Sequence, residues 1–391
     1  MRVLITGVDG YLGWPLAVFL AGRGHTLAGI DNFSRRKWVA EIGSDSAIPI
    51  AAMPERLEAF HSFIGKKLQF FEGDLTDHAF TLEVYRSFRP QAVVYLGEMP
   101  SAPYSMMDAA HAMYTQKNNI LGTLATLFAI KETVPDCHLV KLGTMGEYGT
   151  PNLQIPEGFF EVDYRGRRDT LLFPRRAGSW YHQSKVHDTH NVEMACRLWE
   201  LRSTDIMQGV VYGTRFGHCP PELATRFDFD QCFGTVINRF CAQAVIGMPL
   251  TPYGKGSQQR GFLPLRDVMT CLSLAIENPP KAGEYRTFNQ FDRVYSVNKL
   301  AGTILEVATS LGLAATIRPV ANPRIEAEEH FYQPDSQKLR ALGYRPTGDL
   351  KGEVNLILKD LLSHRERIEK YRESLEPNIK WDPTLNPSVR N

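Results

Sequence analysis

The most constraining feature of the sequence is a glycine-rich turn that directly follows an apolar run near its start. The run Val3-Leu4-Ile5 lacks polar alternation, which is typical of a strand covered on both faces in a parallel sheet. Gly7, Gly10 and Gly13 follow at a spacing of three, and helical periodicity extends over 11–20. Strand, tight turn and helix in this order predict a dinucleotide-binding unit with a phosphate at the helix N-terminus.

Further apolar runs continue the alternation of strand and helix as far as residue 213. Helices are predicted at 119–132 and 184–198, and strands at 26–30, 68–71, 92–96, 138–142 and 206–211. This alternation indicates a Rossmann-type, doubly wound parallel α/β sheet. Because prolines interrupt the later pattern, we expect a smaller, partly interleaved α/β substrate domain. The predicted units are a NAD-binding Rossmann domain (1–212 and 258–295), a substrate-binding domain (213–257 and 296–375) and a C-terminal tail (376–391).

Composition and charge exclude several classes of protein. The 44 Lys and Arg residues nearly balance 43 Asp and Glu residues, so no basic surface for nucleic acid or membrane is expected. No apolar stretch reaches the roughly 18 residues that a spanning helix needs. The six cysteines form no Cys-x-x-Cys pair, which argues against a metal site or a disulfide framework. We therefore expect a cytoplasmic protein without metal, membrane or nucleic-acid partners.

Acidic residues at the ends of the second and third strands point to the cofactor. A carboxylate at Asp31 would hydrogen-bond the adenosine ribose and repel a 2′-phosphate, which favours NAD over NADP. Arg35 and Arg36 leave NADP open as an alternative, and an adenine would lie near Asp74 and Leu75. The residues predicted to bind the cofactor are Gly7, Asp9, Gly10, Tyr11, Leu12, Gly13, Asp31, Asn32, Arg35, Arg36, Asp74, Leu75, Leu96, Gly97, Asn119, Tyr181, Lys185 and Val211.

Tyr181 and Lys185 stand four residues apart on a predicted helix, so both side chains share one face. A free tyrosine has a pKa of about 10 and is a poor base at neutral pH. A nearby lysine would favour the phenolate and let Tyr181 accept a hydroxyl proton. An exposed helix face would also explain the spacing. The glycine motif, together with Thr144 after the strand at 138–142, makes the catalytic interpretation more specific.

These motifs, with Thr144 placed before Tyr148-Gly149, resemble the extended short-chain dehydrogenase/reductase family. Within it, the chain resembles the UDP-sulfoquinovose synthase family over nearly its whole length, up to about residue 360. The segments that carry this resemblance are Gly10-Tyr11 with Gly13-Trp14, 101–106, 138–151, 181–188, 208–213, and Asn322-Pro323-Arg324 with 326–330.

The resemblance implies an NAD-dependent cycle on UDP-glucose, with sulfite as second substrate. Tyr181 would take the C4 hydroxyl proton while hydride passes to NAD, and the 4-ketone would acidify the C5 proton. Loss of the C6 hydroxyl would give a 5,6-enone, to which sulfite adds before the hydride returns. Such relatives are usually homodimers, here through helices at about 105–131 and 181–199. The residues expected to bind substrate are Thr144, Gln208, Asn238, Arg260 and Arg324.

The elimination residues differ from those of 4,6-dehydrating relatives, which commonly carry an Asp-Glu pair directly after the threonine. Met145 and Gly146 stand at those positions here, and the nearby carboxylate is Glu147. Glu147 is equally open to proton transfer and to a purely structural role. The residues predicted to be catalytic are Thr144, Tyr181, Lys185, Glu147, Met145 and His182.

Three departures from the synthase pattern fall where the sugar is expected. Pro100 stands in place of an arginine expected to hold the UDP-sugar or sulfite, and proline carries no charge. Met207 replaces a polar residue, and Pro252 replaces a valine. One alternative is therefore a paralogous 5,6-dehydratase that forms an exocyclic alkene on another nucleotide sugar or a hexose nucleoside without sulfite. A 4-epimerase and a non-catalytic NAD-binding protein are weaker alternatives.

Overall fold

The computed structural model describes residues 1–217, 220–325 and 330–379. The strands are β1 Arg2–Thr6, β2 Thr26–Asp31, β3 Leu68–Glu72, β4 Ala92–Tyr95, β5 His138–Thr144, β6 Phe159–Tyr164, β7 Arg167–Leu172, β8 Arg202–Gln208, β9 Val210–Tyr212, β10 Gln259–Pro264, β11 Tyr285–Gln290 and β12 Arg293–Ser296. The helices are α1 Gly13–Gly22, α2 Ser34–Glu41, α3 Met53–Ile64, α4 His78–Phe88, α5 Ala102–Ser105, α6 Ala109–Thr133, α7 Trp180–Trp199, α8 Val236–Val245, α9 Leu265–Glu277, α10 Val297–Ser310, α11 Gln337–Ala341, α12 Leu350–Leu362 and α13 Arg365–Lys370. Short 3₁₀ turns cover Met145–Tyr148, Pro221–Leu223 and Arg372–Leu375.

Seven strands form a parallel central sheet in the order β11-β8-β5-β4-β1-β2-β3. The chain leaves β1 toward β2 on one side and later returns to β4 on the other. This reversal opens a crevice at the carboxyl ends of the strands, where doubly wound sheets bind their ligands. The predicted Rossmann-type fold is confirmed.

Helices cover both faces of this sheet, which explains why β1 carries no polar alternation. Val3 and Ile5 are buried in a core that includes residues of α1, α3 and α9. Leu4 points the opposite way, into a core that includes residues of α4, α6 and α7. Successive side chains of a strand alternate between its two faces, so a strand buried on both faces is apolar throughout.

A second sheet, of β9, β10 and β12, lies beside the first. Helices α8, α10 and α12 contact one another and supply most of a second apolar core, with Phe240, Ile304 and Ile357 fully buried. This second core is consistent with a separate substrate domain. The domain boundaries given by the sequence analysis stay a prediction.

The single strand predicted at 206–211 is wrong, because the chain changes sheets at Gly209. β8 ends at Gln208 beside β5 and β11, whereas β9 begins at Val210 and pairs with β10. A Cβ at Gly209 would lie 2.6 Å from the carbonyl oxygen of Gly261, so the two sheets meet there by close backbone contact. Ile206-Met207 before the break and Val210-Val211 after it are apolar, so periodicity could not show the break.

Other differences concern the ends of helices and an additional hairpin. α1 begins at Gly13 rather than residue 11, because the Gly10 amide donates to the Gly7 carbonyl in a preceding turn. Strands β6 and β7 form an antiparallel, largely exposed hairpin that the sequence analysis did not identify.

Among the described residues, no helix is both long and apolar enough to cross a membrane. The five described cysteines are unpaired and buried. Cys219, most of the predicted tail and the family-like segment 326–329 lie outside the described residues.

Candidate active site

A cavity of about 850 Å³ lies along the carboxyl ends of the central strands and extends to the smaller sheet. Ligand pockets commonly measure roughly 300–1,000 Å³, so this one has room for an extended ligand. Most of the residues predicted from sequence line it: Gly7, Gly10, Tyr11, Leu12, Gly13, Asp31, Asn32, Arg35, Asp74, Leu75, Leu96, Gly97, Thr144, Met145, Tyr181, His182, Gln208, Val211, Arg260 and Arg324. The others lie behind its wall: Asp9, Arg36, Asn119, Glu147, Lys185 and Asn238.

The turn between β1 and α1 has the geometry of a phosphate cradle. Gly7 has a φ of +68°, and a Cβ there would lie 2.7 Å from the Leu96 carbonyl oxygen. A Cβ at Gly13 would lie 2.2 Å from the Gly7 carbonyl oxygen. Side chains are thus excluded, and a pyrophosphate can approach the backbone at the N-terminus of α1. These residues fit a dinucleotide.

Asp31 ends β2 on the cavity wall, at the position expected for the adenosine ribose. Its carboxylate accepts hydrogen bonds from the amides of Asp9, at 2.8 Å, and Phe33, at 2.7 Å. Burial, and then the neighbouring Asp9 carboxylate, raise the pKa of Asp31 to about 6. The carboxylate is therefore charged at neutral pH and becomes protonated under mildly acidic conditions.

The two arginines that left NADP open are both held by carboxylates. Arg35 donates to Asp228 at 2.7 and 3.0 Å and lies 4.1 Å from the centre of the Phe233 ring. Arg36 donates to both oxygens of Asp9, each at 2.7 Å. Both guanidinium groups are engaged by carboxylates, although Asp228 also holds Arg226 and Asp9 also holds Arg56. The preference for NAD over NADP therefore rests on the Asp31 carboxylate.

Tyr181 lies in the first turn of α7, where its amide donates to the Ser105 hydroxyl at 3.0 Å. Burial, followed by Glu98 and Glu147, raises the pKa of Tyr181. Lys185 directs its ammonium group to the Glu98 carboxylate. The lowering of the tyrosine pKa expected from the lysine is therefore not observed.

His182 lies beside the position where 4,6-dehydrating relatives carry an acidic side chain. A Cβ on Gly146 would lie 2.3 Å from His182 Nε2, so the imidazole fills space that a larger residue at 146 would need. The Ser179 hydroxyl lies 3.0 Å from His182 Nδ1 and fixes the ring. Burial, and then Arg324 and Arg260, lower the pKa of His182 to about 3, so the ring is neutral at physiological pH.

Glu147 lies under Thr144, behind the cavity wall and fully buried. Its carboxylate accepts from the Thr144 amide at 3.3 Å and contacts Arg175 at 2.8 Å and Lys141 at 3.7 Å. Burial raises the pKa of Glu147, although Lys141 and Arg175 oppose the change. The geometry favours its structural alternative, because the carboxylate holds the turn that carries Thr144.

Asn119 and Asn238 also support the wall from behind. The Asn119 amide holds the backbone of Met99 and contacts the Ser184 hydroxyl at 2.9 Å. Asn238 accepts from the Gly213 amide at 3.1 Å. Both side chains fix connections between elements that do line the cavity.

The sequence analysis missed Arg239, which lines the cavity from α8. Its guanidinium donates to the Tyr253 hydroxyl at 2.9 Å and lies 4.5 Å from the centre of that ring. Together they form a flat, cationic wall suited to a nucleotide base and its phosphates. The Thr-Pro-Tyr segment that contains Tyr253 was the available signal. Glu98 was missed as well, and it lies between the cavity and Lys185.

Comparisons with known proteins agree with these features. The model of the NAD dependent epimerase/dehydratase family matches residues 3–289. A UDP-sulfoquinovose synthase of Sulfolobus acidocaldarius is 47% identical over 97% of this chain and 98% of its own length. The chloroplastic UDP-sulfoquinovose synthase of Spinacia oleracea is 46% identical, with coverage of 97% and 79%.

A solved UDP-glucose 4-epimerase of Bifidobacterium longum, in complex with NAD+ and UDP, shares the fold. Its TM-score is 0.70 at 17% identity, over 93% of this chain and 100% of that one. At this low identity the likeness supports the fold alone. The family resemblance inferred from the motifs is confirmed by the sequence matches.

Proposed function

Because this chain belongs to the NAD dependent epimerase/dehydratase family, we propose that it acts as a UDP-sulfoquinovose synthase on UDP-glucose and sulfite. The observation that carries the proposal is the convergence of Thr144, Tyr181 and His182 on one cavity. The 47% identity to a UDP-sulfoquinovose synthase, over nearly the whole chain, supports the same reaction.

Oxidation at C4 would begin the cycle, with Tyr181 as the base. NAD, held by the glycine turn and Asp31, would supply a reversible hydride acceptor for C4. Tyr181 would accept the C4 hydroxyl proton, while the Thr144 hydroxyl holds the same oxygen by a hydrogen bond. Because its pKa is raised, Tyr181 rests as a phenol and needs a nearby cation to ionise. In the proposed cycle Lys185, one helical turn further along α7, would supply this cation by turning from Glu98, which its ammonium group contacts in this structure, toward the phenol.

Elimination across C5 and C6 would follow, with His182 as the proton carrier. Its imidazole is neutral and can accept the C5 proton, but its lowered pKa makes it a weak base, so the transfer depends on an acidic C5 proton. The C4 ketone would acidify that proton, and His182 would pass it to the C6 hydroxyl, which leaves as water to give the 5,6-enone. Met145 lines the same cavity beside Thr144 and would pack against the sugar. Glu147 would act from behind by holding Thr144 in place.

A second candidate is the 5,6-dehydratase that releases an alkene without adding sulfite. Pro100 favours it, because this residue lines the cavity where the synthase family is expected to place a cationic arginine. Anion binding would then depend on the other arginines of the wall, which are Arg35, Arg176, Arg239, Arg260 and Arg324.

The test is to incubate the protein with UDP-glucose, with and without sulfite, and to measure the product masses. A sulfite-dependent UDP-sulfoquinovose mass supports the synthase. A product lighter by one water, formed equally without sulfite, supports the dehydratase. Pro100→Arg should lower the KM for sulfite or UDP-glucose several-fold in a synthase, and unchanged constants would count against a lost arginine contact.

The assembly proposed is a homodimer formed through α6 and α7. Both helices expose large apolar side chains, including Met113, which is 71% exposed, and Leu198, which is 60% exposed. Leu121 and Phe128 on α6 and Trp180 on α7 are exposed as well. Exposed apolar side chains on a packed helix pair favour an interaction surface, and two copies of the pair would cover them as a four-helix bundle.

A cytoplasmic location is also part of the proposal. The described cysteines are buried and unpaired, as is usual in reducing compartments. One relative is described as chloroplastic, so fractionation of the source cells is the direct test.

A further inference from the structure

Two carboxyl groups lie together beside Lys185. Glu98 follows β4, and its side chain reaches the Lys185 ammonium group through Oε2. Asp188 lies on α7 one turn after Tyr181–Lys185 and is fully buried, while Glu98 is 9% exposed. The proposed chemistry of Tyr181 and Lys185 uses neither carboxyl.

The oxygens of this pair have few donors. Within the described parts of the chain, no N–H or O–H group donates to Glu98 Oε1 or to either oxygen of Asp188. Glu98 contacts the Lys185 ammonium group, and Asp188 stands three residues after Lys185 on the same face of α7, so the two carboxyls flank one lysine. Burial and then Glu98 raise the pKa of Asp188 well above its usual range. Two adjacent buried carboxylates repel strongly when both are ionised, and each unpaired oxygen carries a desolvation cost.

We propose that Glu98 and Asp188 share one proton, and that this carboxyl pair positions Lys185 and limits the negative charge that Tyr181 faces. The shared proton forms the hydrogen bond that the two groups otherwise lack. One negative charge then remains on the pair, and the Lys185 ammonium group neutralises it. The role given to the pair rests on the proposed function, whereas the shared proton does not.

The surroundings of Tyr181 show why the charge of the pair matters. Tyr181 faces Glu98 from the β4 loop, Glu147 and Lys141 from β5 and its following turn, and Asp188 from α7. Tyr95 on β4 faces the same two carboxyls. Burial lowers the pKa of Lys185, but Glu98 and Asp188 outweigh burial and the net change is a rise. A second full charge on the pair would hold Lys185 more firmly and oppose ionisation of Tyr181.

Infrared difference spectroscopy tests the shared proton without substrate. Asp188→Asn and Glu98→Gln keep the size of the side chain and replace the shared proton by an amide donor. At pH 7, each variant should lose one protonated-carboxyl C=O band present in the parent, because sharing requires both groups. Asp267→Asn is the matched control. Asp267 lies on α9, and its buried carboxylate already has donors, the Tyr344 hydroxyl at 2.9 Å and the Thr347 amide at 3.0 Å. Parent and variant spectra without such a difference would overturn the proposal.

The pH profile of turnover tests the positioning role. As the pH rises, the parent pair loses its proton and gains a negative charge beside Tyr181. Asp188→Asn cannot gain that charge, so the alkaline fall in kcat should move upward by about one pH unit. Asp267→Asn should keep the parent profile. If kcat of Asp188→Asn falls at the same alkaline pH as kcat of the parent, the positioning role of the pair is overturned. A parent protein that is inactive on UDP-glucose would count against the proposed function only.

Discussion

The cofactor side and the sugar side of the cavity are built in different ways. The cofactor side comes from the first 97 residues, from consecutive strands and the turns that follow them. Its glycines present backbone, and its charged side chains pair with one another, as Arg36 does with Asp9. The sugar side collects side chains from distant segments, among them Thr144, His182 and Arg324. A site formed by backbone at glycines tolerates few substitutions, whereas a site formed by side chains can be altered by one substitution at a time.

This difference explains where the chain departs from the synthase pattern. Pro100 lines the cavity, and Met207 packs under the wall with Met145 and Tyr332. Pro252 precedes Tyr253, which stacks with Arg239. The glycine turn and Asp31 keep their expected residues. Substrate choice can therefore change while the cofactor site stays the same, and the following predictions test that separation.

Tyr181→Phe should have the largest effect on the sugar side alone. Removal of the phenolic oxygen removes the proposed base, so kcat should fall by about 10²- to 10⁴-fold. The content of bound NAD should stay at the parent level, because the glycine turn and Asp31 are untouched. Steady-state turnover and the absorbance of extracted NAD measure the two sides separately. A variant that turns over at the parent rate would refute Tyr181 as the base.

Glu147→Gln should lower stability strongly. The amide would leave Arg175 and Lys141 with less buried negative charge, which costs about 3 kcal/mol of unfolding free energy. Urea titration measures this change, and Glu161→Gln on the exposed β6 strand is the charge-matched control with an effect under about 0.5 kcal/mol. If stability were unchanged while kcat fell a hundredfold, Glu147 would be a proton carrier instead.

Gly146→Ala should reduce turnover with little loss of NAD. The added methyl would lie 2.3 Å from His182 Nε2 and would push the imidazole away from the sugar. Misplacement of a catalytic group by about 1 Å can cost on the order of 10²-fold in rate. Gly302→Ala on α10 is the control, because a Cβ there meets nothing within 4 Å. Equal kcat values for the two variants would show that His182 takes no part in the proposed elimination.

The smallest effect is expected at Asp31, on the cofactor side. Its folded-state pKa of about 6 lies above the ordinary aspartate value, so the carboxylate form is lost as the pH falls through 6. The ratio of the dissociation constants for NADP and NAD should therefore fall by about tenfold below pH 6, because the charge that repels a 2′-phosphate disappears. Dissociation constants at pH 5.5 and 7.5 measure this change. Asp31→Asn should show the narrowed preference at both pH values, and a pH-dependent preference in that variant would contradict the assignment.

Most residues predicted for the cofactor side line the cavity, because the signals that predict them are local. Strand, glycine turn and terminal aspartate all fall within residues 3–31, and their spacing alone fixes their geometry. On the sugar side, Tyr181, Thr144 and His182 were found through a motif and a resemblance. Arg239 and Glu98 were missed because their roles depend on contacts with Tyr253 and Lys185, which lie far away in the sequence. The break at Gly209 was missed for the same reason, since it depends on the backbone of Gly261.

The last strand of the central sheet, β11, comes from residues 285–290, after the chain has already built β9, β10 and α8. A fragment that stops near residue 212 would expose the edge of β8 and leave the Asp205 carboxylate without the Tyr285 hydroxyl that donates to it at 2.6 Å. Unpaired strand edges promote aggregation, and pairing between segments so distant in sequence forms slowly. During synthesis on the ribosome, the central sheet can therefore close only after helix α8 of the second core has emerged.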